Sequence, residues 1–124
     1  LVDGDARDIG AIFGEGWEYA PLRFVGGRKG FPKRGASVRR KLPETIVDLL
    51  ETGDDEYLLS IIDRSRAATV QPGLSIMVAT AEDIIILKTL AGREKDMDDI
   101  AELEMKLKKS LDWDYINAKT DELL

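Results

Sequence analysis

The segment from Thr80 to Gly92 constrains this chain more than any other. Thr80-Ala81-Glu82-Asp83 places a hydroxyl three residues ahead of an acid, a variant of the capping box. Both acids stand where a helix's positive end favours negative charge. Ile84, Ile85, Ile86, Leu87 and Leu90 then point almost all the way round the helix, so it is predicted to be central rather than superficial. Gly92 predicts its stop, or a hinge. The other elements must be arranged around this helix.

Those elements alternate in type. Leu1-Val2 reads as the tail of a strand, stopped by the Asp3-Gly4-Asp5 turn. Asp5 is predicted to cap a short helix carrying Ile9, Ile12 and Phe13 on one face, ended by Gly14 and Gly16. Trp17 to Val25 reads as a strand, with Pro21 marking an edge or an irregularity. Gly26 to Pro43 is rich in Gly and Pro and reads as a long loop or irregular hairpin. Thr45 to Leu50 reads as a buried strand. An amphipathic helix is predicted from Asp55 to Ala68, with Leu58, Leu59, Ile61 and Ile62 on its buried side, and Leu74 to Val78 follows the Pro72-Gly73 turn as a second apolar strand. Beyond Gly92, one helix carries Met97, Ile100, Leu103 and Leu107, and Asp112 caps a last one holding Trp113, Ile116 and Leu123. The class expected is α/β in the broad sense, more narrowly α+β: a short mixed sheet flanked by helices, with a helical C-terminal end. At 124 residues the chain suits a single domain that buries roughly two-thirds of its unfolded surface. The expected organisation is a sheet region 1–53, with a basic loop 23–41, followed by a mainly helical region 54–124.

Composition removes several chemistries. With no Cys there is no disulfide framework, Cys-ligated zinc or thiol nucleophile, and with no His there is no His triad or imidazole acid–base switch. Carboxylates, Lys/Arg, hydroxyls and hard metal ions remain. The longest mainly apolar stretch, Ile84 to Leu87 with Leu90 and Ala91, is far short of the ~20 residues of a membrane span. No leader pattern opens the chain, so a cytoplasmic location away from membranes is expected. The first residue is Leu rather than Met, and the expectation is that the sequence begins inside a longer protein.

Three features carry chemistry. Asp48 lies between Ile46-Val47 and Leu49-Leu50, where an ionised carboxylate is costly unless strand alternation brings it out. It is either a metal-binding or base carboxylate at a cleft edge, or a strand-end Asp that caps a turn or pairs with an Arg. Lys88 lies on the most apolar helix and must reach solvent, a carboxylate or a phosphate. Arg93 follows at the break, and Asp96 and Asp99 share a face of the next helix, so an Arg93 bridge to either aspartate is the structural alternative. The third feature is charge. From Tyr19 to Pro43 there are eight basic residues and no acid, within a chain of net −6, leaving −14 on the remainder. Arg39, Arg40 and Lys41 are the candidate contacts to phosphate or nucleic acid; the alternative is a charged, solvated loop.

From Val78 to Ile100 the order is strand end, Thr80-Ala81-Glu82-Asp83, apolar residues, Lys88, Ala91-Gly92-Arg93, then Lys95-Asp96-Met97-Asp98-Asp99-Ile100. This resembles the C-terminal signature of small prokaryotic nucleotidyltransferase-like proteins with the polymerase-β core, including the minimal type and relatives of the AbiEii toxins. Leu111-Asp112-Trp113 with Tyr115-Ile116 is similar to their tails. The likeness covers positions 45 to 118 well and 1 to 44 poorly. It implies transfer of a nucleoside monophosphate from an NTP to a hydroxyl on RNA or protein, with three carboxylates holding two Mg²⁺ ions. Asp48 falls at the third carboxylate, as metal ligand and as the base nearest the attacking hydroxyl. Lys88 and Arg93 would face phosphate. Leu1-Val2 looks like the residues just after the family's Asp-x-Asp strand, and that pair is not in this chain. Asp3 and Asp5 share its spacing but sit in a turn. Other classes compete: a catalytically degenerate module binding nucleic acid or protein, such as an antitoxin-type partner or a toxin's counterpart, and a homodimer-forming oligomerisation module using the C-terminal helices.

Overall fold

The computed structural model describes residues 1–23 and 29–124, and these divide into two compact units, 1–23 with 32–59 and 29–31 with 60–124. The class is α+β, with a helical C-terminal end, as expected. None of the described helices is long and apolar enough to cross a membrane.

In the first unit, Asp5 caps helix α1 (Ala6–Gly10) by accepting from the Arg7 N–H at 2.8 Å, and a 3₁₀ turn, Ala11–Phe13, follows. Strands β1 (Glu18–Arg23), β2 (Arg34–Lys41) and β3 (Glu44–Leu50) form an antiparallel sheet in that order. Pro21 sits on edge strand β1, where its missing N–H costs no ladder bond. Ala6, Ala36, Val38 and Leu49 make the core, with Val2, Ile9, Phe13, Trp17 and Val47 packed against it. At Gly35 a Cβ would collide with the Leu49 carbonyl oxygen of the neighbouring strand, so only glycine permits this approach. Among the described residues, parallel pairing is confined to one bridge, Val2 with Glu51. The Glu51 side chain accepts from the Ala6 N–H at 2.7 Å and from Arg34 Nε at 2.9 Å, tying the start of α1 to the sheet.

The second unit holds the hairpin β4 (Arg66–Gln71) and β5 (Leu74–Val78), then α3 (Ala81–Ala91), α4 (Glu94–Leu107) and α5 (Trp113–Leu123). Helix α2 (Glu56–Arg64) crosses the division between Leu59 and Ser60. Thr80 caps α3 and Gly92, at φ 68°, ends it, as the sequence predicts. Helix α3 packs against both α4 and α5, with Ile85, Ile86 and Leu90 buried. Asp112 caps α5 by accepting from the Tyr115 N–H at 3.0 Å. The Glu82 carboxylate accepts from the Asp112 N–H at 3.3 Å, joining the starts of α3 and α5.

Four expectations need correction. The long loop or irregular hairpin expected over 26–43 holds a regular strand, Arg34 to Lys41, and a central one; Phe24 to Arg28 lie outside the described residues. Two-sided pairing with β1 and β3 supplies what a Gly- and Arg-containing sequence lacks in strand propensity. The helix expected to run to Ala68 ends at Arg64, because the alternating segment 66–71 pairs with β5. Thr45 to Leu50 is a strand, but it lies at the sheet's edge and only Leu49 is buried. Ile12 is 81% exposed, while Ile9 and Phe13, expected on the same face, do pack against the core.

Candidate functional site

Strand alternation sorts the residues of the first unit onto two faces. Ala36, Val38, Val47 and Leu49 face the core under α1. Ser37 lies opposite Asp48 and Arg39 opposite Ile46, so these four occupy the outer face, where Asp48, Arg39 and Ile46 are all exposed. Alternation thus brings the Asp48 carboxylate to solvent. Among the described residues no ion pair or side-chain hydrogen bond engages it. Arg40 belongs to the other side: its guanidinium lies 4.9 Å from the centroid of the Trp17 ring, and its Nε donates to the Pro43 carbonyl at 3.3 Å. Asp48 and Arg39 therefore share a face that Arg40 does not. Lys41 is exposed at the hairpin end of the same strand.

In the second unit the carboxylates are engaged. Lys88 Nζ donates to Asp99 Oδ2 at 2.7 Å and stands 3.8 Å from Asp96 Oδ1. Arg93 donates to Asp96 through Nε at 2.7 Å and Nη2 at 3.1 Å, and its backbone N–H adds a third bond at 3.2 Å. The four residues singled out at this corner do come together. The Arg93 guanidinium holds the Asp96 carboxyl below its ordinary value, and Asp96 in turn raises Arg93. Asp96 is buried while the Arg93 side chain is 73% exposed, so Arg93 keeps N–H groups facing water.

A second cluster was not foreseen. Asp83 is fully buried and accepts from Arg64 Nε at 3.0 Å, Arg64 Nη2 at 2.9 Å, Tyr115 Oη at 2.7 Å and Thr80 Oγ1 at 3.0 Å. The Arg64 guanidinium also lies 5.3 Å from the Tyr115 ring centroid. Four donors fill the acceptor sites of a carboxylate, which makes Asp83 a tie between α2, α3 and α5 and leaves it little capacity for a metal. The sequence signal was present only in part: Asp83 reads as a helix-start acid, and its partners lie 19 and 32 residues away.

Among the described residues no three acidic side chains converge to hold a metal ion. A hard cation such as Mg²⁺ often takes one or two carboxylates plus substrate phosphates. Asp48, solvated and unengaged, suits one such position; the saturated Asp83 and the paired Asp96 do not.

The model of a family described as nucleotidyltransferase of unknown function (DUF6036) matches residues 59–123, just over half of the chain. No curated protein and no solved structure matches it.

Proposed function

The chain belongs to this family of nucleotidyltransferases of unknown function, and from that membership we propose that it serves Mg²⁺-dependent transfer of a nucleoside monophosphate from an NTP to a hydroxyl acceptor, with Asp48 as its reacting-site carboxylate. The observation that carries the role of Asp48 is the edge of β3. The Val2 N–H donates to the Leu50 carbonyl at 2.9 Å, the Thr52 N–H donates to the Val2 carbonyl at 3.0 Å, and Val2 pairs with Glu51 in parallel. Any strand running into Val2 in that register lies alongside Asp48, so carboxylates on it would stand beside this one. Mg²⁺ supplies charge neutralisation at the phosphates when bound. Asp48, open to solvent, offers it an oxygen ligand or accepts the acceptor hydroxyl's proton. In the second unit Arg93 keeps outer N–H groups open for a phosphate, and Lys88, fixed by Asp99, adds positive charge beside them. The test is transfer of label from α-labelled NTPs by the intact protein with Mg²⁺. Asp48→Asn is expected to reduce transfer at least about a hundredfold with little change in the melting curve; unchanged transfer overturns the assignment.

A second reading has its own observation. Lys88 and Arg93 already hold carboxylate partners, and among the described residues Asp48 stands without companion acids. That arrangement favours a binding module without turnover, using Arg39, Arg40 and Lys41 toward RNA or a protein partner. Mg²⁺-dependent label transfer by the intact protein excludes it.

A further inference from the structure

On the outer face of the first unit's sheet, Arg39 stands between two carboxylates and bonds to neither. Glu18 of β1 lies directly across from it, and Asp48 of β3 lies on the diagonal, two positions beyond its cross-strand partner Ile46. Diagonal neighbours on one sheet face are about 7–8 Å apart at the backbone, within reach of a long side chain. Arg39, Glu18 and Asp48 are all exposed, and among the described residues none of them holds an ion pair or a side-chain hydrogen bond. We infer that Arg39 is a second substrate-contacting residue of the proposed transfer, its guanidinium binding the non-bridging oxygens of the phosphoryl group attacked beside Asp48. This rests on the Asp48 reading and supplies the cation that the carboxylate lacks.

Three observations carry it. First, the other arginine side chains described in the first unit are committed elsewhere: Arg7 to Asp5, Arg34 to Glu51, and Arg40 to the Trp17 ring on the core side. Lys41 shares the outer face, but it lies opposite Glu44 at the hairpin end, one row further from Asp48. Arg93 and Lys88 belong to the second unit and hold carboxylates of their own. Second, the register leaves the space beside Arg39 open. Ala20, Ser37 and Asp48 face one another across the three strands, in the row next to Glu18, Arg39 and Ile46. Ala20 and Ser37 are short, so no tall side chain stands between the guanidinium and the carboxylate. Third, the two opposite charges stay apart, which lets them flank a reacting group instead of neutralising each other. In the transfer, the hydroxyl oxygen bonds to the α-phosphorus as its proton passes to Asp48. The bond from that phosphorus to the oxygen bridging to the β-phosphate breaks, and pyrophosphate leaves with the electron pair. Charge on the non-bridging oxygens then meets the paired N–H donors of Arg39, a fork that matches two phosphoryl oxygens.

The test is label transfer from α-labelled ATP, GTP, CTP and UTP by the intact protein with Mg²⁺. Arg39→Gln is expected to lower kcat/KM at least about a hundredfold. Arg39→Lys should recover part of that loss, because it keeps the charge and gives up the fork. Arg66→Gln, the same charge change at an exposed arginine of β4, should leave transfer unchanged. Arg39 is exposed, so the melting curves of its variants should coincide with the parent's. Sulfur in place of a non-bridging α-oxygen, tried as each diastereomer, should slow the parent more than Arg39→Gln, in which the contact is already gone. Equal slowing in both proteins with each diastereomer overturns the inference, and so do equal losses in Arg39→Gln and Arg66→Gln. Unchanged transfer in Arg39→Gln, with transfer lost in Asp48→Asn, overturns it and leaves the Asp48 reading standing. Absence of transfer by the parent overturns both.

Discussion

Arg64 grips Asp83 with two near-parallel hydrogen bonds, Nε to Oδ2 at 3.0 Å and Nη2 to Oδ1 at 2.9 Å, although the carboxylate is fully buried and the guanidinium partly open to water. Removing one partner leaves the other charge without compensation. Arg64→Met should cost about 3 kcal/mol in urea unfolding, and the Arg64→Met/Asp83→Leu double variant less than the two single losses combined. Additive losses would show that the pair is not coupled.

The Tyr115 hydroxyl adds a bond of 2.7 Å to the same carboxylate. A hydrogen bond to a charged group is worth about 1.5–3 kcal/mol, so Tyr115→Phe should lose an amount in that range while keeping the ring over Arg64. A melting temperature equal to the parent's would rule the bond out as a source of stability.

Gly35 has no room for a methyl group, because the Leu49 carbonyl oxygen of β3 stands where it would go. Gly35→Ala must push β2 and β3 apart and should cost about 1–3 kcal/mol. Gly92 poses a different problem: its φ of 68° is conformational, and its N–H donates to the Lys88 carbonyl at 3.0 Å. Gly92→Ala should cost about 1 kcal/mol and Gly92→Asn less, whereas Asn at Gly35 should be worse than Ala. Denaturant midpoints of the four variants separate crowding from backbone strain.

Acid should weaken the fold in a defined window. Hydrogen bonds from Arg93 and Arg34 hold Asp96 and Glu51 below their ordinary values of 3.8 and 4.5, and the bonds from Arg7 lower Asp5 to about 2. Each carboxyl binds a proton more weakly folded than unfolded, so its contribution is complete above the unfolded value and is lost as pH falls through the folded one. Melting temperatures should hold steady from about pH 7 to 5 and then drop toward about pH 2. Asp96→Asn and Glu51→Gln should melt lower at neutral pH and show a shallower acid limb; parallel limbs would contradict the assignment.

The parts of the fold legible in the sequence are those whose causes are local. Thr80 and Gly92 bracket α3 because a cap and a left-handed stop each act within four residues. The grouping of Lys88 with Arg93, Asp96 and Asp99 was legible for the same reason, since one helical corner brings them together. Strand β2 was hidden because Gly35, Ser37, Arg39 and Arg40 carry little strand preference, and pairing with the neighbouring strands β1 and β3, not local propensity, decides their conformation. Asp83 was hidden more deeply: its position at a helix start already accounted for an acid, which masked the need for Arg64 and Tyr115. At Asp48 the alternation was readable, but which face is solvated depends on where α1 packs.

Glu51 joins three stretches of chain that translation produces far apart: the first turn of α1 through the Ala6 N–H, the start of β2 through Arg34, and its own position just past the end of β3. An Asp here is one methylene too short to hold both partners, and a Gln keeps the reach but loses the charge. The two ends of the pair are therefore unequal: a swap of Arg34, 68% exposed, removes one partner and leaves Glu51 anchored by the Ala6 N–H, whereas a swap of Glu51 releases both stretches at once.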